Sequence, residues 1–171
     1  MLNYIHLKLQ QQTLHIMKRL LITLTLVFGL ALTAQAQNYK GAIGLGLDLG
    51  EGFTFVGPSG KYFFDENNAG QFDLGFEDQV TALTFLYSYH GQFSGADGLQ
   101  WFAGAGPSIW LIKDFDTQFS LRPHVGLDFK IPNVPLAFSG SWRPILGLSD
   151  GFDGNRFEAG AFALGFRYAF N

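Results

Sequence analysis

His90 and His124 are the only histidines in the body of the chain. His6 and His15 stand near its start, and there is no cysteine. Without a thiol, a thiolate metal centre and a disulfide framework are both excluded. A hydrolytic site needs a base, a hydroxyl and an orienting acid within hydrogen-bond reach. Ser88-x-His90 is the nearest approach to that set, and no spacing nominates its acid, so no catalytic residue is assigned and His90 is expected near a strand end. Gly44-x-Gly46-x-x-x-Gly50 lacks the strand-turn-helix context of a dinucleotide loop. Ser149-Asp150-Gly151-Phe152-Asp153-Gly154-Asn155 lacks the spacing and terminal glutamate of a calcium loop and reads as a polar loop. No metal or cofactor is therefore expected. The remaining candidates are charged: Asp48, Asp73, Glu77, Arg122, Asp128, Lys130, Arg143 and Arg167. Their chemistry depends on whether they share an interior, where charges persist only when paired.

The elements that would position them follow from composition and pattern. The 171 residues carry a formal net charge of -3, which provides no basic field for nucleic acid. Charged residues make up 15%, against roughly 25% in an ordinary soluble domain, while aromatics reach 16% and glycine numbers 22. From Met17 the chain reads Lys18-Arg19, an apolar run from 20 to 32, then Thr33-Ala34-Gln35-Ala36. Basic start, short apolar core and small residues before a cleavage point make a signal peptide over 17–36. Residues 1–16 read as an extension from an upstream start. The expected mature chain, 37–171, has no apolar window long enough for a transmembrane helix.

That mature segment alternates with a period of two, which in a strand sends successive side chains to opposite faces. In 119–130, Phe119, Leu121, Pro123, Val125, Leu127 and Phe129 share one face; Ser120, Arg122, His124, Gly126, Asp128 and Lys130 share the other. Similar strands are expected at 41–49, 53–64, 70–77, 80–90, 99–112, 135–143 and 157–170. Gly57-Pro58-Ser59-Gly60 would interrupt the second with a bulge or bend, because proline cannot donate to the ladder. Eight strands consume nearly all of 37–171. This predicts an all-β fold, an eight-stranded antiparallel up-and-down transmembrane β-barrel. The eight charged residues would fall on its inward face, in an interior about wide enough for side chains alone. Trp101, Trp110, Trp142, Tyr87, Tyr89 and Tyr168 would form interfacial girdles. One set of turns falls at 65–69, 91–98 and 132–135; the opposite set falls at 50–52, 78–79, 113–118 and 144–156, of which only the last is long.

Asn38-Tyr39-Lys40-Gly41-Ala42-Ile43-Gly44-Leu45, the segment 83–90, Leu99-Gln100-Trp101-Phe102-Ala103-Gly104-Ala105-Gly106 and Ile131-Pro132-Asn133-Val134-Pro135 resemble small outer-membrane β-barrel proteins of the Bacteroidetes. The resemblance spans the mature chain. It implies an OmpX/OmpA-like barrel in the outer membrane and carries no functional residues with it. Phe162, Leu164, Phe166, Tyr168 and Phe170 resemble the terminal signal read by outer-membrane assembly machinery, here with the aromatic penultimate. The expected partners are outer-membrane lipid and that machinery. The expected role is a non-enzymatic anchor with 144–156 as its contact surface. Competing readings are a narrow channel or small hydrophobic ligand binder, a barrel enzyme acting on lipid, and a soluble exported sandwich. The Ser88-x-His90 order does not match that of the lipid A deacylase barrels. A soluble sandwich would bury Leu127 and expose Asp128.

Overall fold

The computed structural model describes residues 39–149 and 156–170. The expected leader, the segment before it and residues 150–155 of the last loop lie outside the described residues. The strands are β1 (Gly41–Gly50), β2 (Phe53–Phe63), β3 (Asn68–Glu77), β4 (Val80–Gln92), β5 (Leu99–Ala105), β6 (Pro107–Ile112), β7 (Gln118–Leu121), β8 (His124–Lys130), β9 (Leu136–Trp142), β10 (Ile145–Gly147), β11 (Phe157–Glu158) and β12 (Phe162–Phe170). They join into eight continuous staves, because the last eight segments are successive halves of four strands. β4 meets β5 and β6 in one register, with Tyr87 opposite Ala105 and Thr84 opposite Ser108. Gly106 and Arg122 exchange both backbone hydrogen bonds across the breaks between β5 and β6 and between β7 and β8, beside Pro107 and Pro123.

Only the pairing of the last two staves slips. Trp142 faces Phe162 while Ile145 faces Glu158, so one extra residue is accommodated between β11 and β12, a β-bulge. The Trp142 indole N–H donates to the Ala159 carbonyl there at 2.6 Å, satisfying a group that the bulge takes out of the ladder. Trp142→Phe is expected to cost about 0.5–1.5 kcal/mol, the net worth of an ordinary hydrogen bond. Urea unfolding midpoints check this, and an unchanged midpoint would mean that water already serves Ala159.

Two sequence expectations need correction. β2 runs unbroken through Gly57-Pro58-Ser59-Gly60, holding register with β1 from Gly41↔Tyr62 to Gly50↔Phe53. Towards β3 the register is the same on both sides of the proline, Val56↔Phe76 and Ser59↔Asp73, with the ladder opened only at 57 and 58. Proline thus removes a donor without inserting a residue. An alanine at Gly57 would drive its Cβ into the Leu74 carbonyl, which is why glycine precedes the proline here. The second correction concerns 144–156: β10 prolongs the seventh stave past Pro144, and the loop starts only at 148.

β12 pairs with β1, closing the wall. A circuit of partners leaving β1 at Leu49 passes Phe162, Trp142, Val125, Ala103, Tyr89 and Asn68. Continued through Phe64, whose N–H bonds Asn68, and the β1–β2 register, it returns at Tyr39. Descending from residue 49 to residue 39 is a stagger of ten residues, the shear of a closed, tilted barrel. Among the described residues this closure pairs the first and last staves along Gly41 to Leu49.

The turn after β2 is fixed by Asp65, whose carboxylate accepts from the Asn67 and Asn68 amides and the Asn68 side chain. The Asn67 amide foremost, then the Asn68 side chain and amide, hold the Asp65 carboxyl below its ordinary range. A depressed folded-state pKa gives stability that is present above the unfolded value and lost as pH falls through the folded one. The turn is therefore expected to loosen on acidification, and Asp65→Ala to flatten that acid limb in hydrogen exchange of the Asn67 and Asn68 amides.

Candidate functional site

Strand alternation sorts the wall into two chemistries. Leu127 is 48% exposed on the outside and Asp128 is 2% exposed on the inside. On β12, Phe162, Leu164, Phe166, Tyr168 and Phe170 point out while Ala163, Arg167 and Ala169 point in. Tyr62, Tyr87, Tyr89, Trp101 and Tyr168 are exposed on the outer wall towards the end where Tyr39 and Phe170 lie. Trp110, expected with them, instead shares the inward parity of Ser108 and packs its ring 5.2 Å from those of Phe53 and Phe55. Trp142 faces outward but lies midway along its stave.

Inside, aromatics line both ends. Phe53, Phe55 and Trp110 lie at one, while at the terminal end Tyr39 packs edge-on to Phe63 at 5.1 Å and His90 lies between Phe63 and Phe102. Between them is a polar network in two clusters. In the first, Lys61 Nζ donates to Asp128 Oδ2 at 2.5 Å, the Tyr39 hydroxyl donates to the same oxygen at 3.0 Å, and Nζ lies 4.7 Å from the centre of the Phe102 ring. In the second, Arg122 Nη2 donates to Asp48 at 2.9 Å and Arg143 Nη1 to Asp73 at 2.9 Å, with Arg143 also 3.8 Å from Asp48. Arg167 donates to Ser59 and Ser139 and stands 3.8 Å from Asp73. Ser59 and Gln71 complete the shell of Asp73.

Of the eight charged residues read from the sequence, Asp48, Asp73, Arg122, Asp128, Arg143 and Arg167 meet in this network. Glu77 does not, for it sits at the last residue of β3 and accepts from the Thr54 amide in an exposed bond at 2.7 Å. Lys130, the last residue of β8, caps the Ile131 and Val134 carbonyls at the opposite rim. Parity gives a residue's face but not its depth. Lys61, Tyr39, Ser59 and Gln71 were not singled out. Lys61 shares parity with Phe55 and Phe63, a signal hidden only by reading Pro58 as a break. His90 is fully buried beside Ser88, both facing the lumen and not the outer wall, and no group of three or more metal-ligating side chains occurs among the described residues.

Such a wall, apolar outside and ionic within, defines a closed eight-stranded antiparallel β-barrel. Its fold matches the crystal structure of the N-terminal β-barrel domain of Pseudomonas aeruginosa OprF with a TM-score of 0.57, over 77% of this chain and all of that one, at 16% identity. No protein-family model matches the sequence, and no curated protein matches it.

Proposed function

We propose that the protein resides in the outer membrane as a structural or interaction protein, its barrel an anchor without catalysis. The observation that carries this reading is the sorting of the closed wall, with large apolar side chains covering the outside and the charged ones turned inward, the reverse of what water would select. Membrane lipid covers that face in this reading, and the alternating aromatics of β12 serve as the signal for assembly machinery. The quoted segments support a place among the small Bacteroidetes barrels. Residues 148–156, the longest link between staves, form the contact surface. The filled middle of the lumen favours an anchor over a channel: a cavity of about 20 Å³ lies beside Asp48, Asp73 and Arg143, one of about 60 Å³ beside Tyr39 and Lys130, and one of about 200 Å³ at the opposite mouth between Phe53, Trp110 and Glu158. The first two hold a few waters at most.

Nitroxide labels at Leu127 and Asp128, in protein reconstituted into phospholipid vesicles, test the reading. The label at 127 is expected to relax with lipid-dissolved oxygen and to be shielded from an aqueous nickel reagent. Access of nickel to 127 would overturn membrane residence.

A further inference from the structure

The cavity of about 200 Å³ at the mouth opposite Tyr39 and Phe170 is built by strand parity. Near the ends of their staves, Trp110 stands opposite Gln118, Ile145 opposite Glu158 and Phe53 opposite Gly50, all on the inward face. Glycine at 50 matters here. A Cβ at that position would collide with the Phe53 ring, so its absence lets the ring fold against β1.

Two chemistries line the cavity. Phe53 and Trp110, edge to face with ring centres 5.2 Å apart, form an apolar side with the buried Ile145. The Trp110 N–H donates to Ser108 at 3.2 Å, so what the indole offers the cavity is its ring. Glu51 and Glu158 supply two carboxylates, and Glu158 Oε1 accepts from the Glu51 amide at 3.4 Å. Arg156 lines the cavity too and is itself engaged within the protein. Two carboxylates against one guanidinium leave the lining with a net negative charge. The surroundings have the same sign. Among the described residues of this mouth, Glu51, Glu77, Asp78, Asp114, Asp116 and Glu158 stand against Lys113 and Arg156. A mouth of one sign focuses its field on the cavity and raises the local concentration of cations. Aromatic rings beside carboxylates suit an organic cation in particular, because the ring quadrupole attracts the charge while the apolar body displaces water.

We infer that this mouth binds one small organic ammonium ion, with its charge between Glu51 and Glu158 and its apolar body against Phe53 and Trp110. The volume falls below the roughly 300–1,000 Å³ of pockets for drug-sized molecules, which limits the ligand to a small amine. The lining faces the lumen and not the outer wall, so the ligand arrives from the aqueous side and a lipid headgroup does not reach it. The inference goes beyond an anchoring role and holds whichever membrane the barrel occupies.

The test follows the indole N–H resonances of the three tryptophans in nitrogen-15-labelled protein in detergent micelles, during titration with phenethylammonium. Trp101 and Trp142 are exposed on the outer wall and report partitioning of the amine into detergent, whereas Trp110 reports the cavity. A saturable shift at Trp110, absent from the other two, is expected. Binding of 2-phenylethanol, which keeps the shape and lacks the charge, is expected to be about tenfold weaker or less still. Glu158→Gln keeps an acceptor for the Glu51 amide but removes the charge, and is expected to weaken the amine by a similar factor. Should that variant not fold, Glu51→Gln, at an exposed turn position, takes its place. A Trp110 signal unmoved through the millimolar range, equal binding of amine and alcohol, or full affinity in the folded variant overturns the site.

Discussion

Asp128→Ala is expected to lower the unfolding free energy of the barrel by about 3–5 kcal/mol, the cost of stranding one member of a buried ion pair. Asp128 is the shared acceptor of Lys61 and Tyr39, and both Lys61 and Asp128 are almost wholly buried. Its removal leaves the Lys61 ammonium against the Phe102 ring face without its carboxylate partner. Removing both charges is a different matter. Lys61→Met with Asp128→Leu deletes the attraction together with both desolvation penalties, and such exchanges are often neutral or stabilising by about 1–4 kcal/mol. Urea unfolding in lipid vesicles, followed by tryptophan emission and gel mobility, would measure the cycle. A single-mutant cost below about 1 kcal/mol is the value for a solvated pair. That result would mean a water-filled lumen and would revive the channel reading.

How far the sequence revealed this network can be judged residue by residue. The side of the wall was legible because a strand has a period of two and nothing else is needed: Leu127 and Asp128 separate on parity alone. The number of staves was legible because the turns carry their own chemistry, as at Asp65. Depth was not. Glu77 and Lys130 share the inward parity of Asp73 and Asp128, yet they end their strands and meet water at the rims. Partners were not legible either, since Asp48 and Arg122 lie 74 residues apart and Ser59 and Arg167 lie 108 apart, and only barrel closure and shear bring them together. Proline misled twice, at Pro58 and Pro144, for one physical reason. In a closed wall a missing donor is tolerated locally while the pairings on either side keep the strand going, so proline there marks a weak point in a ladder and not its end.

Leu45→Arg is the second large effect expected, and it tests the surroundings of the barrel where Asp128→Ala tests its interior. Leu45 points outward from the middle of β1, flanked by Pro58 and Phe166 in the neighbouring staves, and is 58% exposed. A guanidinium at the bilayer midplane costs about 2–4 kcal/mol, falling to about 0–1 kcal/mol near the interface. The same substitution at Leu49, one residue from the end of β1, should therefore cost much less. The contrast matters more than either value. In water an arginine replacing an exposed leucine changes stability by no more than about 0.5 kcal/mol in either direction, wherever it stands on the strand. Folding of both variants into vesicles, with free energies from reversible urea titration, separates the cases. A cost that declines from Leu45 to Leu49 marks the depth profile of a hydrocarbon layer along β1. Near-zero costs at both would leave the barrel and its ion pairs in place but remove the membrane around them.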